Sequence, residues 1–374
     1  MGDLGVRLQL MIGPNVPLPA PYQVMESFVA LEVSNNDSQR DGFQIDFSLG
    51  KDSLLDYSLL LNGYFDPPNR IVIAVLMGVV LEVLLDGVIT SHQVVPSNRP
   101  GESKLVVTGE DISLRLDLDP KSDTHPNQPD SIIVGKLLAN YARFGIAPQI
   151  TPTTDIPIEV NRVPSQQETD LGYIRRLAAR NGFVFYIEPT PVPGVSTAYW
   201  GPDNRLGLPQ PALSMNMGPQ TNLDTPINFH FNALGPIAPQ VTILEPITKT
   251  PITIPVPGGF RPPLATRPAP ALRSAIARDA ANLEASQGLL RSLSSSAESS
   301  DAVTASGEID AVRYGQALRS RRLVGVRGVG ASYNGNYYVK QVKHSIRRGE
   351  YKQSFTLTRE GLGSLTPLVV PQIN

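Results

Sequence analysis

Short runs in which apolar and polar residues alternate, separated by turn-forming clusters, dominate the first third of the sequence. The runs Phe28–Val33 and Phe43–Ser48 both alternate with a period of two, which is the pattern of a half-buried strand. Turn residues cluster at 34–37, 66–69 and 96–101. The 31 glycines and 35 prolines of the 374-residue chain exceed average usage and favour turns and strands over long helices. These features predict a β-barrel or a β-sandwich.

The most apolar stretch is Ile71–Leu85, which contains Gly78. A helix needs roughly 20 apolar residues to cross a bilayer, so we interpret this stretch as two buried strands that meet near Gly78, in a protein that is not membrane-inserted. Asp86-Gly87 predicts a short turn. No basic leader precedes an apolar run at the N-terminus, which predicts no secretory signal. The absence of cysteine excludes disulfides and thiol catalysis and fits a reducing cytosol.

Two amphipathic helices follow in the middle of the chain. Asp130 or Ser131 is positioned to cap the first helix. The second helix begins at Thr169-Asp170, where a hydroxyl and a carboxylate suit a helix N-terminus, and ends at Asn181-Gly182. The aromatic strand 183–187 comes directly after it. This pattern predicts a small α+β unit.

Strand patterns return in the last third of the chain. Strand-like segments occupy 227–231, 241–244, 323–326, 338–346 and 351–359, and 333–337 reads as a hairpin tip. A Pro-rich bridge leads into a helical pattern over 271–293 and a Ser-rich tract at 294–300. We therefore predict a β-rich α+β protein of three domains: a β-barrel over 1–118, a small α+β domain over 119–224, and a similar second β-barrel over 225–374 with a helical, Ser-rich insertion at about 268–320.

No catalytic, cofactor or metal motif is found, and we predict none of these sites and no enzymatic activity. Gly328-Val329-Gly330 resembles a phosphate loop, but no helix pattern follows it, so we predict a strand bend or bulge. The four histidines lack metal-ligand spacing and are expected to have ordinary polar roles.

Acidic residues provide two further candidates. Asp117, Asp119 and Asp123 suggest a calcium loop, but the glycine and closing glutamate of such a loop are missing, so a solvated domain boundary is preferred. Glu110 and Asp111 suggest paired carboxylates for glycan hydrolysis. Neighbouring residues of a strand point to opposite faces, however, and cannot flank one bond, so a solvated pair is expected.

The basic residues concentrate at five positions. They are Arg319, Arg321, Arg322, Arg347 and Arg348. Three interpretations stay open for them: a solvated face, a surface for an acidic partner protein, and a nucleic-acid site. The net charge of −2 argues against a general nucleic-acid footprint, so we predict no specific nucleic acid and take the five arginines as a candidate partner interface.

Three passages, made up of five segments, together carry a resemblance to a known family. The segment 168–186 (ETDLGYIRRLAARNGFVFY) resembles a passage of the VgrG and phage late control D families. The segments YYVKQVKHSI at 337–346 and YKQSFTLTR at 351–359 resemble the closing hairpin of their second barrel. DGVITS at 86–91, with LVVTGED at 105–111, resembles a pattern of their first barrel. The ordered set covers about 28–362.

The resemblance implies a baseplate hub of a contractile tail or injection system. Such a hub is a homotrimer whose two tube-type barrels per chain present six lobes to a hexameric inner tube protein and three-fold symmetry to a spike. The chain stops at Asn374 where VgrG proteins continue, so we expect a separate spike protein, with other baseplate proteins as further partners. Made in the bacterial cytoplasm, it would assemble into the baseplate. The alternatives are a glycan-degrading enzyme and a glycan-binding tail protein.

Overall fold

The computed structural model describes residues 6–37, 39–49, 58–99, 102–153, 163–203, 205–223, 225–244, 251–255, 261–276 and 301–365. Strands predominate in these ranges. They are β1 (Val6–Gly13), β2 (Leu18–Pro19), β3 (Phe28–Asn36), β4 (Gly42–Ser48), β5 (Arg70–Met77), β6 (Val80–Val95), β7 (Lys104–Asp111), β8 (Pro120–Thr124), β9 (Ile146–Ile150), β10 (Ser165–Thr169), β11 (Val184–Pro189), β12 (Ser196–Gly201), β13 (Gln210–Ser214), β14 (Asn228–Phe231), β15 (Ile237–Leu244), β16 (Pro251–Pro255), β17 (Ala265–Pro268), β18 (Arg273–Ile276), β19 (Val303–Asp310), β20 (Leu323–Arg327), β21 (Gly335–Arg347), β22 (Glu350–Arg359) and β23 (Gly361–Ser364).

Helices are short by comparison. They are α1 (Tyr22–Glu26), α2 (Ser58–Leu61), α3 (Asp130–Ala139), α4 (Asp170–Asn181) and α5 (Ala311–Tyr314), with 3-10 turns at Ile112–Leu116, Ala142–Phe144 and Gly218–Gln220. None of the helices in the described ranges is long and apolar enough to cross a membrane. The prediction of a β-rich protein is confirmed.

The largest sheet of the described residues has 13 strands. Its main path runs β14-β19-β22-β21-β3-β4-β7-β6-β5-β1-β2, with β20 paired to β21 and β13 paired to β20. We call β1–β7 the first lobe and β13, β14 and β19–β22 the second lobe. The pair β3–β21 joins the two lobes. The unit formed by β8–β12, α3 and α4 is called the middle unit.

The same order of six strands occurs in both lobes. It is β1-β5-β6-β7-β4-β3 in the first lobe and β13-β20-β21-β22-β19-β14 in the second. If these six strands of each lobe are numbered along the chain, leaving out the two-residue strand β2 of the first lobe, both orders read 1-4-5-6-3-2. The long fifth strand also bulges against the sixth at comparable places, at Thr90 and at Lys340. The lobes differ at one edge, where β1–β5 is antiparallel and β13–β20 is parallel. Among the described residues, no strand pair closes either lobe into a barrel.

The apolar stretch Ile71–Leu85 forms two strands, as predicted. β5 and β6 pair as a hairpin, and Ile71 to Val75 are all buried. Odd-numbered residues of β5 pack into the core of the first lobe, while Val72 and Ala74 join a small cluster on the other face. A strand covered on both faces has no polar side, which explains the unbroken apolar run.

The predicted turn at Asp86-Gly87 is wrong, because both residues lie inside β6. A Cβ atom on Gly87 would lie 2.5 Å from the Glu110 carbonyl oxygen. Glycine here permits close approach of the neighbouring strand β7 rather than a turn.

Gly109 of β7 allows a similar close approach, which leads to a stability prediction. A Cβ atom there would lie 2.2 Å from the Val88 carbonyl oxygen and 2.5 Å from the ring of Phe43. Gly109→Ala is expected to lower the free energy of unfolding by about 2 kcal/mol, because the strand or the ring must shift. Gly42→Ala is the matched control, since its nearest neighbouring atom would lie 3.4 Å away. Urea unfolding of both variants checks this, and equal losses would contradict it.

The middle unit contains both predicted helices. Thr169 Oγ1 accepts a hydrogen bond from the Gly172 N–H at 3.2 Å, and Gly182 ends α4 with φ of 71°. The predicted cap of α3 by Asp130 or Ser131 is wrong, because Pro129 is the N-cap residue and has no side-chain acceptor. Thr153 Oγ1 accepts from the Ser131 N–H at 3.1 Å. The Asp130 carboxylate instead accepts from Arg180 Nε of α4 at 2.9 Å. The core of this unit surrounds Trp200, which is fully buried.

The predicted helical insertion needs correction. Arg273–Ile276 is a strand, β18, which pairs in parallel with β15, so pairing with a neighbouring strand overrides helix propensity there. Residues 303–310 form β19 inside the second lobe rather than part of an insertion. Residues 277–300, including the Ser-rich tract, lie outside the described residues. β13 lies within the predicted α+β region 119–224 but pairs with β20 of the second lobe.

Candidate functional site at the junction of the lobes

The two lobes meet along one antiparallel strand pair. β3 and β21 pair continuously from Asn36↔Gln341 to Ala30↔Arg347. The backbone of Asp37 extends the contact by donating to the Lys340 carbonyl oxygen at 3.1 Å. Because β21 also pairs with β22 over the same residues, the hydrogen-bond ladder crosses the junction without a break. The lobes are therefore parts of one sheet.

A buried polar cluster lies on the junction, and we call it the seam cluster. It comprises Asn35, Asp41, Arg321, His344, Tyr351 and Gln353. His344 is at its centre. His344 Nδ1 lies 2.7 Å from Tyr351 Oη and 3.1 Å from Gln353 Nε2. His344 Nε2 lies 3.0 Å from Asn35 Oδ1. Strands of both lobes thus contribute to one hydrogen-bond network.

The partners of His344 determine its tautomer. Asn35 Nδ2 donates to Asp41 Oδ2 at 3.0 Å, so Asn35 Oδ1 is the acceptor and His344 Nε2 carries the proton. Nδ1 then accepts from Tyr351 and from Gln353. Burial, helped by the positive charge of Arg319, lowers the pKa of His344 to about 3, so the ring is neutral near pH 7.

Arg321 and Asp41 form a buried ion pair beside this network. The guanidinium donates to Asp41 Oδ1 at 2.7 Å and to Oδ2 at 3.0 Å, a two-pronged geometry that fixes orientation. It also donates to the Asn36 carbonyl oxygen and lies 4.6 Å from the ring centroid of Tyr186 in the middle unit. Burial lowers the pKa of Arg321, but Asp41 outweighs it and the net pKa is raised. All three parts of the chain meet at this side chain.

The two arginines flanking Arg321 reach other parts of the same chain. Arg319 donates to Glu82 Oε2 at 2.7 Å and to the Val83 carbonyl oxygen at 2.5 Å, both in β6. Arg322 donates to Glu188 Oε1 of β11 at 2.8 Å. The short segment 319–322 therefore ties the second lobe to the first lobe and to the middle unit.

The five predicted interface arginines do not form one exposed surface. Arg321 is only 6% exposed, and Arg319 and Arg322 have partners within the chain. Arg348 is exposed, but its guanidinium donates to the carbonyl oxygens of Glu26 and Phe28. Arg347 is exposed at the end of β21. A partner interface at Arg347 and Arg348 stays a prediction.

The acidic candidates also serve contacts between parts of the chain. Glu110 accepts from Arg40 at 2.5 Å, and Asp117 accepts from Arg40 and, at 2.5 Å, from Thr169 Oγ1. Asp119 and Asp123 are exposed. No group of three or more potential metal-binding side chains occurs within the described ranges. The Asp117 contacts link the first lobe to α4 of the middle unit.

Asp111 is the one candidate here with a raised pKa. Its carboxylate accepts from the Ser113 N–H at 2.7 Å and from the Asp41 N–H at 2.8 Å. Burial, with the negative charge of Asp41, raises the pKa of Asp111 to about 6. Asp111 is only 6% exposed, so the expectation of a solvated pair is wrong for this residue.

A cavity of about 340 Å³ lies between the middle unit and the second lobe. Among its lining residues, Asp301 accepts two hydrogen bonds from Arg205, at 3.1 and 2.8 Å. Asp203 Oδ2 lies 3.1 Å from Arg261 Nη2. Burial raises the pKa of Asp301, but Arg205 outweighs it and the net pKa is lowered. A glycosidase acid needs a raised pKa, and Asp111 does not line this cavity. These ion pairs instead hold the second lobe against neighbouring segments.

The fold is shared with several solved structures. It is similar to a tail protein from Neisseria meningitidis MC58 (12% identity, TM-score 0.64, covering 96% of this chain and 98% of that one). It is also similar to a 43 kDa tail protein of prophage MuSo2 from Shewanella oneidensis (14%, 0.62, 95% and 98%). The chain shares the fold of phage tail proteins.

A third similar structure belongs to a secretion system. It is an E. coli type VI secretion component described as structurally similar to the T4 bacteriophage tail proteins gp27 and gp5 (13%, 0.55, 91% and 77%). No protein-family model and no curated protein matches the chain. Identities this low show a common fold, which agrees with the tail-protein architecture expected from the sequence.

Proposed function

We propose that the chain is a structural baseplate hub of a contractile tail or injection system. The observation that carries this proposal is the strand order 1-4-5-6-3-2, which occurs twice in one continuous sheet. A chain built this way offers two lobes of the same strand order in a fixed arrangement. Three copies then present six lobes, so that a trimer matches a hexameric tube on one face and a three-fold spike on the other.

The junction of the lobes supports this role mechanically. A hub has to keep its two lobes at constant spacing while the tube docks. Three features resist rotation of one lobe against the other. They are the β3–β21 pairing, the buried Arg321–Asp41 pair, and the contacts of Arg319 and Arg322. Buried polar groups that are paired favour a single geometry, and in the seam cluster only Arg321 Nε lacks a hydrogen-bond partner among the described residues.

The partners follow from this role. They are two further copies of the chain, a ring of inner tube protein, a separate spike protein and other baseplate proteins. The proteins that share the fold are described as tail proteins and a type VI secretion component, which supports assembly into a tail particle after synthesis in a bacterial cytoplasm.

The proposal is tested by the mass and shape of the purified chain. Light scattering is expected to give three chain masses, and electron microscopy is expected to give a three-fold ring with six lobes around a channel. A monomer at every concentration, or lobes that do not face a common axis, would contradict the proposal.

We also expect no glycan hydrolysis. The carboxylates Asp203 and Asp301 of the cavity form ion pairs with arginines, and the lowered pKa of Asp301 does not suit a proton donor. Release of soluble fragments from purified peptidoglycan should equal that of a buffer blank. Turnover that persists after repurification would favour the glycan-degrading alternative.

A further inference from the structure

The junction inside the chain provides a template for a contact between chains. In that junction the second strand of the first lobe, β3, pairs with the second half of the fifth strand of the second lobe, β21. The equivalent strands are β14 in the second lobe and β6 in the first lobe. If the junction repeats between copies, β14 of one copy meets the second half of β6 of the next copy.

Both of these strands have an unpaired edge in the described part of the chain. Ser91–Val95 of β6 pairs with β7 on one side only, because β5 pairs with β6 no further than Val88. β14 pairs with β19 on one side only. Unpaired edges are templates for further strands, and both segments are exposed, with Phe231 40% and Val95 44% exposed.

We propose that β14 of one copy adds to Ser91–Val95 of the next copy as an antiparallel strand. This inference rests on the proposed function, for which it identifies the surface between copies. The contact is head-to-tail, because each chain offers a different strand at each end, so repetition leads to a ring rather than to a two-fold dimer. Backbone hydrogen bonds then continue the sheet from one chain into the next.

The bulges align β6 with β21. Each long strand has its bulge against the following strand, at Thr90 in β6 and at Lys340 in β21. Three residues further along, Gln93 therefore corresponds to Lys343. In the junction within the chain, Lys343 lies opposite Ser34 of β3.

The cross-strand pairs align β14 with β3. We count the cross-strand pairs outward from each bulge, through β7 and β4 in the first lobe and through β22 and β19 in the second. By this count His230 of β14 corresponds to Ser34 of β3. His230 of one copy therefore lies opposite Gln93 of the next copy. In the same register Phe231 opposes His92 and Phe229 opposes Val94.

The register predicts the chemistry of the contact. Phe231 corresponds to Asn35, and Val94 corresponds to His344, both members of the seam cluster. The contact between copies thus has aromatic and aliphatic groups where the junction within the chain has hydrogen bonds. Burial of the exposed Phe231 ring supplies a hydrophobic driving force for association.

Cysteine cross-linking tests this register, because the natural chain has no cysteine. The double variant His230→Cys, Gln93→Cys is expected to give, on complete oxidation, a covalent product that ends at three chains on a non-reducing gel. The matched control is Asn228→Cys, Ser91→Cys on the same exposed face. Its two positions are displaced by about 14 Å along the strands in this register, which is too far for a disulfide.

The outcomes separate this inference from the proposed function. If light scattering shows a trimer but cysteines at 230 and 93 do not cross-link, the register is wrong and the hub proposal still stands. A chain that is monomeric throughout overturns both. A fully oxidised product that stops at two chains, or an equally efficient control pair, also overturns the register.

A second variant tests the contribution of the aromatic ring. Phe231→Asp is expected to raise the concentration at which the trimer dissociates by at least about tenfold, because a charge replaces a ring that the contact between copies buries. Leu208→Asp is the control, since Leu208 is 95% exposed and lies outside both strands. Circular dichroism of the dissociated Phe231→Asp chain should match that of the natural chain. Unchanged dissociation would contradict the inference.

Discussion

Replacing Arg321 with methionine is expected to lower the free energy of unfolding by about 3–5 kcal/mol, because it leaves the buried Asp41 carboxylate without its cation. The two side chains are only 5% and 2% exposed, so water cannot replace the lost partner. Urea unfolding followed by circular dichroism measures the loss. Fluorescence of Trp200, the single tryptophan, reports separately on the middle unit.

The neighbouring arginine provides a matched control. Arg322 forms an ion pair with Glu188, but its side chain is 53% exposed, and exposed pairs contribute about 0–1 kcal/mol. Arg322→Met should therefore cost at most about 1 kcal/mol. The double variant Arg321→Met, Asp41→Asn should recover part of the loss, because no uncompensated charge stays buried. Similar losses for the two single arginine variants would show that Arg321–Asp41 does not stabilise the junction.

Acid is expected to weaken the junction through His344. The folded-state pKa is about 3, well below the ordinary value of 6.5. Between these values the unfolded chain binds a proton that the folded chain does not, so stability falls as the pH falls below 6.5. The contribution of His344 amounts to a loss of about 2.5 kcal/mol between pH 7 and pH 4.5.

Asp111 acts in the opposite direction over part of this range. Its folded-state pKa is raised from 3.8 to about 6, so the folded chain binds the extra proton and Asp111 favours folding as the pH falls from 6 to 4. Comparison of variants isolates the histidine. In His344→Gln, the slope of unfolding free energy against pH between 6 and 4 should be smaller by about 1.4 kcal/mol per pH unit. Equal slopes in the two chains would contradict a neutral buried histidine.

Much of the local structure was predictable from the sequence. Period-two runs located β3 and β4, the unbroken apolar run located the β5–β6 hairpin, and α4 was recognised from its cap and its terminal glycine. These signals are local, because hydrophobic periodicity and caps depend on residues within one turn or one strand.

The junction was not predictable in the same way. Arg319, Arg321 and Arg322 looked like a partner surface because their acidic partners are distant in sequence, with Asp41 lying 280 residues from Arg321. A charge cluster does not indicate whether its counter-charges belong to the same chain. His344 and Asp111 lie in segments that carry the family resemblance, but nothing in those segments marks them as junction residues, since their environments exist only after the two lobes pair. The signal available was the similar order of strand segments in the two halves of the chain.

The β3–β21 pairing also affects how the protein is made. Gln341, which contacts Ser34 across the junction, is synthesised 307 residues after Ser34. Ribosomes add about 5–20 residues per second. The outer edge of β3 is therefore without its partner strand for about 15–60 s of translation. During that time a nascent first lobe has a free sheet edge, which is a template for pairing with other nascent chains.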